Sequence, residues 1–149
     1  MKIRVLVVDD EEHFVEQLTQ RLQLRSYDVT ACYSGEEALE TLKKYNFDVV
    51  ILDVAMPGMD GIETLRELKN IKPLIEVIML TGHATVESAI EGMKLGAFDY
   101  LLKPTKTDDL VTKVNSAYAR KNTQEERIRQ AKANELFTSP LSVFKKDDS

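Results

Sequence analysis

Five short apolar runs alternate along the chain with five segments whose apolar residues recur at helical spacing. Ile3–Val8, Tyr27–Cys32, Val49–Leu52, Glu76–Leu80 and Phe98–Leu102 are dominated by β-branched and aliphatic side chains, and each has the length of a strand. Between them, Glu12–Arg25 carries Phe14, Val15, Leu18 and Leu22 on one helical stripe. Ser34-Gly35-Glu36-Glu37 has the form of a capping box, with Ser34 as N-cap and Glu37 three residues on. It predicts a helix carrying Ala38, Leu39 and Leu42. Ile62–Asn70 turns Leu65 and Leu68 inward, and Thr85–Leu95 sets Val86, Ala89, Ile90 and Met93 on one face. Gly96 suits the position that ends that helix. Thr107 is the expected N-cap of the fifth helix, followed by Asp108 and Asp109 where acids favour the helix dipole. Met56-Pro57-Gly58-Met59-Asp60-Gly61 reads as a loop, with its methionines covering an apolar rim.

Strict alternation of strand and helix predicts an α/β protein. Continuous apolar strands, rather than alternating ones, predict a parallel sheet covered on both faces. Five strands favour an open doubly wound sheet, since an eight-stranded barrel needs roughly 200 residues or more. After Arg120 the pattern thins. Residues 108–138 hold neither glycine nor proline, so one helix of roughly 45 Å fits them. Pro140 is expected to stop it, with Leu141, Val143 and Phe144 forming a small apolar cluster beyond.

Composition narrows the class. The chain has 149 residues, 43% apolar and 30% charged, which suits one domain with a substantial core. A single cysteine, Cys32, excludes an internal disulfide and fits a reducing compartment. It is expected to be a small buried or half-buried residue. No run is long enough for a membrane helix, and no signal peptide is evident, so the expected location is the cytoplasm. The net charge of −5 is uneven: residues 1–119 hold 13 basic and 20 acidic side chains, and residues 120–149 hold 7 and 5. An acidic body repels nucleic-acid phosphates.

In open α/β sheets, ligands bind beyond the carboxyl ends of the strands. There the sequence places Asp9 and Asp10 after the first strand, Asp53 after the third, Thr81 after the fourth and Lys103-Pro104 after the fifth. Two carboxylates 4 Å apart repel by about 4 kcal/mol at an effective dielectric of 20, so such a cluster calls for a cation. Hard oxygen donors suit Mg²⁺. A carboxylate beside Mg²⁺ and a lysine is a candidate phosphoryl acceptor, with the Thr81 hydroxyl and loop N–H groups available to the phosphoryl oxygens.

The motifs V-L-V-V-D-D-E at 5–11, V-V-I-L-D-V-A-M-P-G-M-D-G at 49–61, M-L-T-G-H-A at 79–84 and F-D-Y-L-L-K-P at 98–104 resemble the receiver domain of two-component response regulators. The 79–104 stretch is most similar to receivers of the nitrogen-regulatory type. The resemblance spans about residues 2–120. It implies a flavodoxin-like sheet of strand order 2-1-3-4-5, here with an extended C-terminal helix. It further implies that Asp53 is the phosphoacceptor, that Asp10 binds Mg²⁺ directly and Asp9 mainly through water, and that Asp53 and the main-chain carbonyl of Ala55 complete the metal site, with Mn²⁺ an alternative ion. Thr81 and Lys103 would contact the phosphoryl group. Tyr100 would turn inward as Thr81 shifts, coupling the site to the surface of the fourth helix, fifth strand and fifth helix. The Lys103–Pro104 bond would be cis. Ala55 and His83 would tune the phosphate's lifetime, with Ala55 leaving a path for water and His83 either orienting or obstructing it.

Each residue has a plainer reading. Thr81 alone is a turn residue, Lys103 a surface lysine, Pro104 a helix initiator, Tyr100 part of the core and His13 a solvated or weakly capping side chain. The expected function is a single-domain response regulator that accepts a phosphoryl group from a sensor histidine kinase and signals through altered protein contacts. It is a switch that catalyses its own phosphotransfer and autodephosphorylation rather than an enzyme in the usual sense. The alternatives are a receiver-like binding module without phosphorylation, and an aspartyl-nucleophile phosphohydrolase. That second class typically needs another acid where Ala55 stands. Residues 1–120 form the expected receiver, and residues 121–149 a helical extension with no separate output domain. No direct nucleic-acid contact is expected. The expected partners are the kinase and a protein target; the extended helix leaves three roles open, to lengthen the signalling face, to dock on a target, or to pair two copies of the chain on phosphorylation.

Overall fold

In the computed structural model, residues 2–83 and 85–147 are described, with side chains to residue 136. Five strands, β1 (Arg4–Val8), β2 (Asp28–Cys32), β3 (Val49–Leu52), β4 (Glu76–Thr81) and β5 (Asp99–Leu102), form one parallel sheet of order β2-β1-β3-β4-β5. The helices are α1 (Glu12–Leu24), α2 (Gly35–Lys44), α3 (Gly61–Ile71), α4 (Val86–Lys94) and α5 (Thr107–Asp147).

The sheet separates two cores, and this explains the continuous apolar strands. Leu6, Val8, Val50, Leu52, Val77 and Met79 face α2 and α3. The residues between them, Val5, Val7, Val49, Ile51, Ile78 and Leu80, face α1 and α5. Leu65 and Leu68 close the first core, and Leu18, Leu22, Leu110 and Val114 the second. Each such buried side chain contributes about 1.5–3 kcal/mol.

Several local expectations need correction. Ser34 caps α2 by accepting from the Glu37 N–H at 3.1 Å, but the Glu37 carboxylate returns to the Tyr33 N–H (3.2 Å), one residue before the cap. Thr107 is the first residue of α5 rather than its cap; the Leu110 N–H already bonds the Lys106 carbonyl at 3.1 Å. Met56 is core, not rim. A reciprocal capping box does open α4, between Thr85 and Ser88. Leu95 caps the far end, and Gly96 follows at φ +101°, a region open to glycine. Finally, α5 continues past Pro140. An interior proline loses one helical hydrogen bond and crowds the carbonyl four residues back, which kinks or breaks a helix but does not oblige it to end. The side chains of Leu141, Val143 and Phe144 lie outside the described residues.

The fourth helix is attached differently from the others. Its stripe of Val86, Ile90 and Met93 faces solvent, and only Gly92 is buried. Among the described residues, no helix is long and apolar enough to cross a membrane.

Candidate phosphoacceptor site

The carboxyl edge of the sheet is built by ladder bonds that continue past the strands. The Asp53 N–H donates to the Val8 carbonyl at 3.0 Å, and the Asp9 N–H donates to the Cys32 carbonyl at 3.1 Å. On the other side, the Lys103 N–H donates to the Thr81 carbonyl at 2.8 Å. Asp9, Asp53, Thr81 and Lys103 are thereby fixed on neighbouring strand ends by backbone geometry.

Carboxylate oxygens of Asp9, Asp10 and Asp53 lie within 4.8 Å of one another. Asp9 and Asp53 are each 2% exposed, and Thr81 is fully buried. Asp9 is held at both oxygens: Oδ1 accepts from the Glu11 N–H (3.0 Å), and Oδ2 accepts from Lys103 Nζ (2.6 Å). The same ammonium is 4.0 Å from Asp53 Oδ2 and 3.8 Å from Glu11 Oε1. Asp53 Oδ1 accepts from the Val54 N–H at 2.9 Å. Burial pushes the Asp53 carboxyl above its ordinary pKa, and the Asp9 charge adds to the rise. The Thr81 hydroxyl, Lys103 and the Val54 N–H act in the opposite direction but do not cancel it.

That balance bears on a metal. Three carboxylates face one ammonium, and the most buried of them is pushed toward its neutral form. The set is of hard oxygens with one side open at Asp10, which fits a divalent cation such as Mg²⁺. The Lys103–Pro104 peptide is cis. The Thr81 hydroxyl accepts from the His83 N–H at 3.1 Å, and His83 and Ala55 are exposed at the lip. Tyr100 is half-buried, and its hydroxyl bonds Ser88 Oγ of α4 at 2.8 Å. His13 is exposed, with its Nε2 3.1 Å from Gln17 Nε2, as a solvated side chain should be. Cys32 is buried beside Thr41, and burial raises its thiol pKa, the setting of a structural rather than a reactive cysteine.

A model of the family described as "Response regulator receiver domain" matches residues 5–115. The chain belongs to that family. Receiver domains are phosphorylated by histidine kinases, and this chain is a phosphoacceptor module rather than an enzyme in the usual sense. Its receiver is 42% identical over 117 residues to the transcriptional regulatory protein ZraR of Escherichia coli K12, covering 78% of this chain and 26% of that one. It is 37% identical over 107 residues to the regulatory protein AtoC of the same organism, covering 72% and 23%. The chain thus spans about a quarter of the length of these relatives. Among solved structures, a response regulator receiver domain protein from Clostridium thermocellum is 39% identical, with a TM-score of 0.78, covering 82% of this receiver's chain and 98% of its own.

Four residues of the site escape the strand-end reading. Glu11 and Phe14 both approach the Lys103 ammonium, the latter through its ring. Gly61 packs so closely on the Asp53–Val54 backbone that a Cβ would lie 2.1 Å from the Asp53 carbonyl oxygen. Glu36 accepts from the Met59 N–H at 3.0 Å and tethers the loop after Asp53. Glu11 and Gly61 carried a signal in the sequence, each as the last residue of a strand-end motif, at 5–11 and 49–61; the roles of Phe14 and Glu36 at the site did not.

Proposed function

We propose that Asp53 accepts a phosphoryl group from a phosphohistidine of a sensor histidine kinase, in a Mg²⁺-dependent reaction, and that the acyl phosphate alters protein contacts. The supporting observation is the convergence of Asp9, Asp10 and Asp53 with Lys103 and Thr81 on one buried edge. An Asp53 oxygen attacks phosphorus, the P–N bond breaks, and the imidazole leaves. Lys103 offsets charge on the phosphoryl oxygens from a position already 4.0 Å from Asp53. The Thr81 hydroxyl donates to one of those oxygens. Asp9, Asp10, Asp53 and the Ala55 carbonyl would hold Mg²⁺, which when bound neutralises charge on the transferring group. Ala55 offers little obstruction to water, and His83 stands beside its path, so these two set the lifetime.

The readout runs through Tyr100. Its ring packs against the α2/α3 core, and its hydroxyl is tied to Ser88 on the lightly anchored α4. Movement of Thr81 toward the phosphoryl group frees space for the ring and shifts α4. The exposed Val86, Ile90, Met93 and Leu102 form the surface that then changes partner. The kinase and target meet this protein in the cytoplasm.

The test is incubation with acetyl phosphate and Mg²⁺, followed by mass measurement. One phosphoryl group is expected on wild type and none on Asp53→Asn. An unmodified wild type, or modification elsewhere, overturns the reading.

A further inference from the structure

We infer that Phe14 is a positioning residue for Lys103, its ring holding the ammonium at the phosphoryl edge without competing for the groups Lys103 must serve. The inference rests on the phosphoacceptor reading of Asp53.

Phe14 lies in the first turn of α1. It is half-buried and packs against the α1/α5 core, which fixes its ring. Lys103 Nζ stands 4.0 Å from the ring centroid. That is well within the roughly 6 Å over which a cation is attracted to an aromatic face. The other neighbours of the ammonium are anionic: Asp9 at 2.6 Å, Glu11 at 3.8 Å and Asp53 at 4.0 Å. None of them is a steady partner through the reaction. Asp9 and Asp53 belong to the cation-binding cluster, and a divalent ion there draws on the same carboxylate charge that attracts Lys103. Glu11 is largely exposed, so water weakens its pull.

The ring differs in kind. It is neutral, it does not bind the metal, and it brings no net negative charge against incoming phosphoryl oxygens. Its attraction is broad over the face rather than set along one bond. The ammonium therefore passes from Asp9 toward a group on Asp53 while keeping this contact. Leucine at this position would fill much of the space but supply no quadrupole.

The test measures the affinity of the full chain for beryllofluoride in saturating Mg²⁺, for wild type, Phe14→Leu, Phe14→Tyr, Lys103→Met and the Phe14→Leu/Lys103→Met pair. Phe14→Leu is expected to weaken binding about threefold to tenfold. Phe14→Tyr, which keeps the ring, restores it. In the Lys103→Met background, Phe14→Leu costs nothing further. Wild-type affinity in Phe14→Leu overturns the inference. So does a loss in Phe14→Tyr equal to that in Phe14→Leu, or an undiminished loss in the Lys103→Met background, since either marks simple packing. Failure of wild type itself to bind beryllofluoride overturns the phosphoacceptor reading, and this inference falls with it.

Discussion

At the scale of single residues, the site is held in tension by its own charges. The Asp53 carboxyl has a raised pKa, chiefly through burial and then through Asp9. In the absence of metal, the folded chain therefore holds a proton that the unfolded chain releases from about pH 4 upward. Stability is lost as pH rises from there through the folded value, and the loss persists at neutral pH. Asp53→Asn removes that loss. Thermal melts without metal should show the variant more stable than wild type by a few degrees at pH 7, with the gap closing toward pH 4. Equal melting temperatures at pH 7 would mean the charge cluster carries no strain. Gly61 gives a second residue-scale prediction. A Cβ there would stand 2.1 Å from the Asp53 carbonyl oxygen and 2.7 Å from Val54 Cα. Backbone cannot swing aside as a flexible side chain can. Gly61→Ala should cost about 3 kcal/mol in urea unfolding and weaken beryllofluoride binding as Asp53 is displaced.

At the scale of elements, the contrast between α4 and its neighbours is one of burial. Buried residues fix α1 through Val15, Leu18 and Leu22 and α3 through Leu65 and Leu68, but α4 through Gly92 alone. Local opening energies follow buried apolar contact. Hydrogen exchange should therefore find α4 amides opening before those of α1 and α3. Tyr100→Phe removes the hydroxyl bond to Ser88 and should speed α4 exchange further, at a cost of about 1 kcal/mol. Unchanged exchange in that variant would show that the bond does not restrain the helix. The helical period of Val86, Ile90 and Met93 was legible in the sequence. That the stripe faces water was not, because periodicity specifies a face and not what lies opposite it.

At the scale of the whole molecule, α5 is fastened at the far end of the sheet by two buried carboxylates. Glu76 receives Arg120, whose Nη2 donates at 2.8 Å, and lies 3.6 Å from Lys69. Asp48 meets Lys121 at 3.2 Å and accepts from the Arg4 N–H at 2.8 Å. Arg120 also stacks 4.6 Å over the Phe98 ring. Removing one partner leaves a buried charge short of compensation. Arg120→Ala should lower stability by about 2 kcal/mol, less than a fully buried pair because Lys69 remains and the arginine is partly exposed. Beyond this clamp the side chains from Glu126 to Lys132 are exposed. A chain ending after Glu125 should melt within a few degrees of the full one; a larger fall would place the extension in the receiver's own packing.

Element type and order were written in local pattern. Helical and continuous apolar periods separate helices from strands, and their alternation demands a parallel sheet with two covered faces. The positions of Asp9, Asp10, Asp53, Thr81 and Lys103 at strand ends followed from the same pattern, because the chain direction of a parallel sheet sends all those ends to one edge. What no local pattern holds is distance between segments far apart in sequence. The ring of Phe14 meets Lys103, 89 positions further along the chain. The Gly61 backbone rests on Asp53, and Glu76 finds Arg120, for the same kind of reason. Each contact depends on how helices seat on the sheet, and that seating is settled by packing of the two cores together rather than by any one segment.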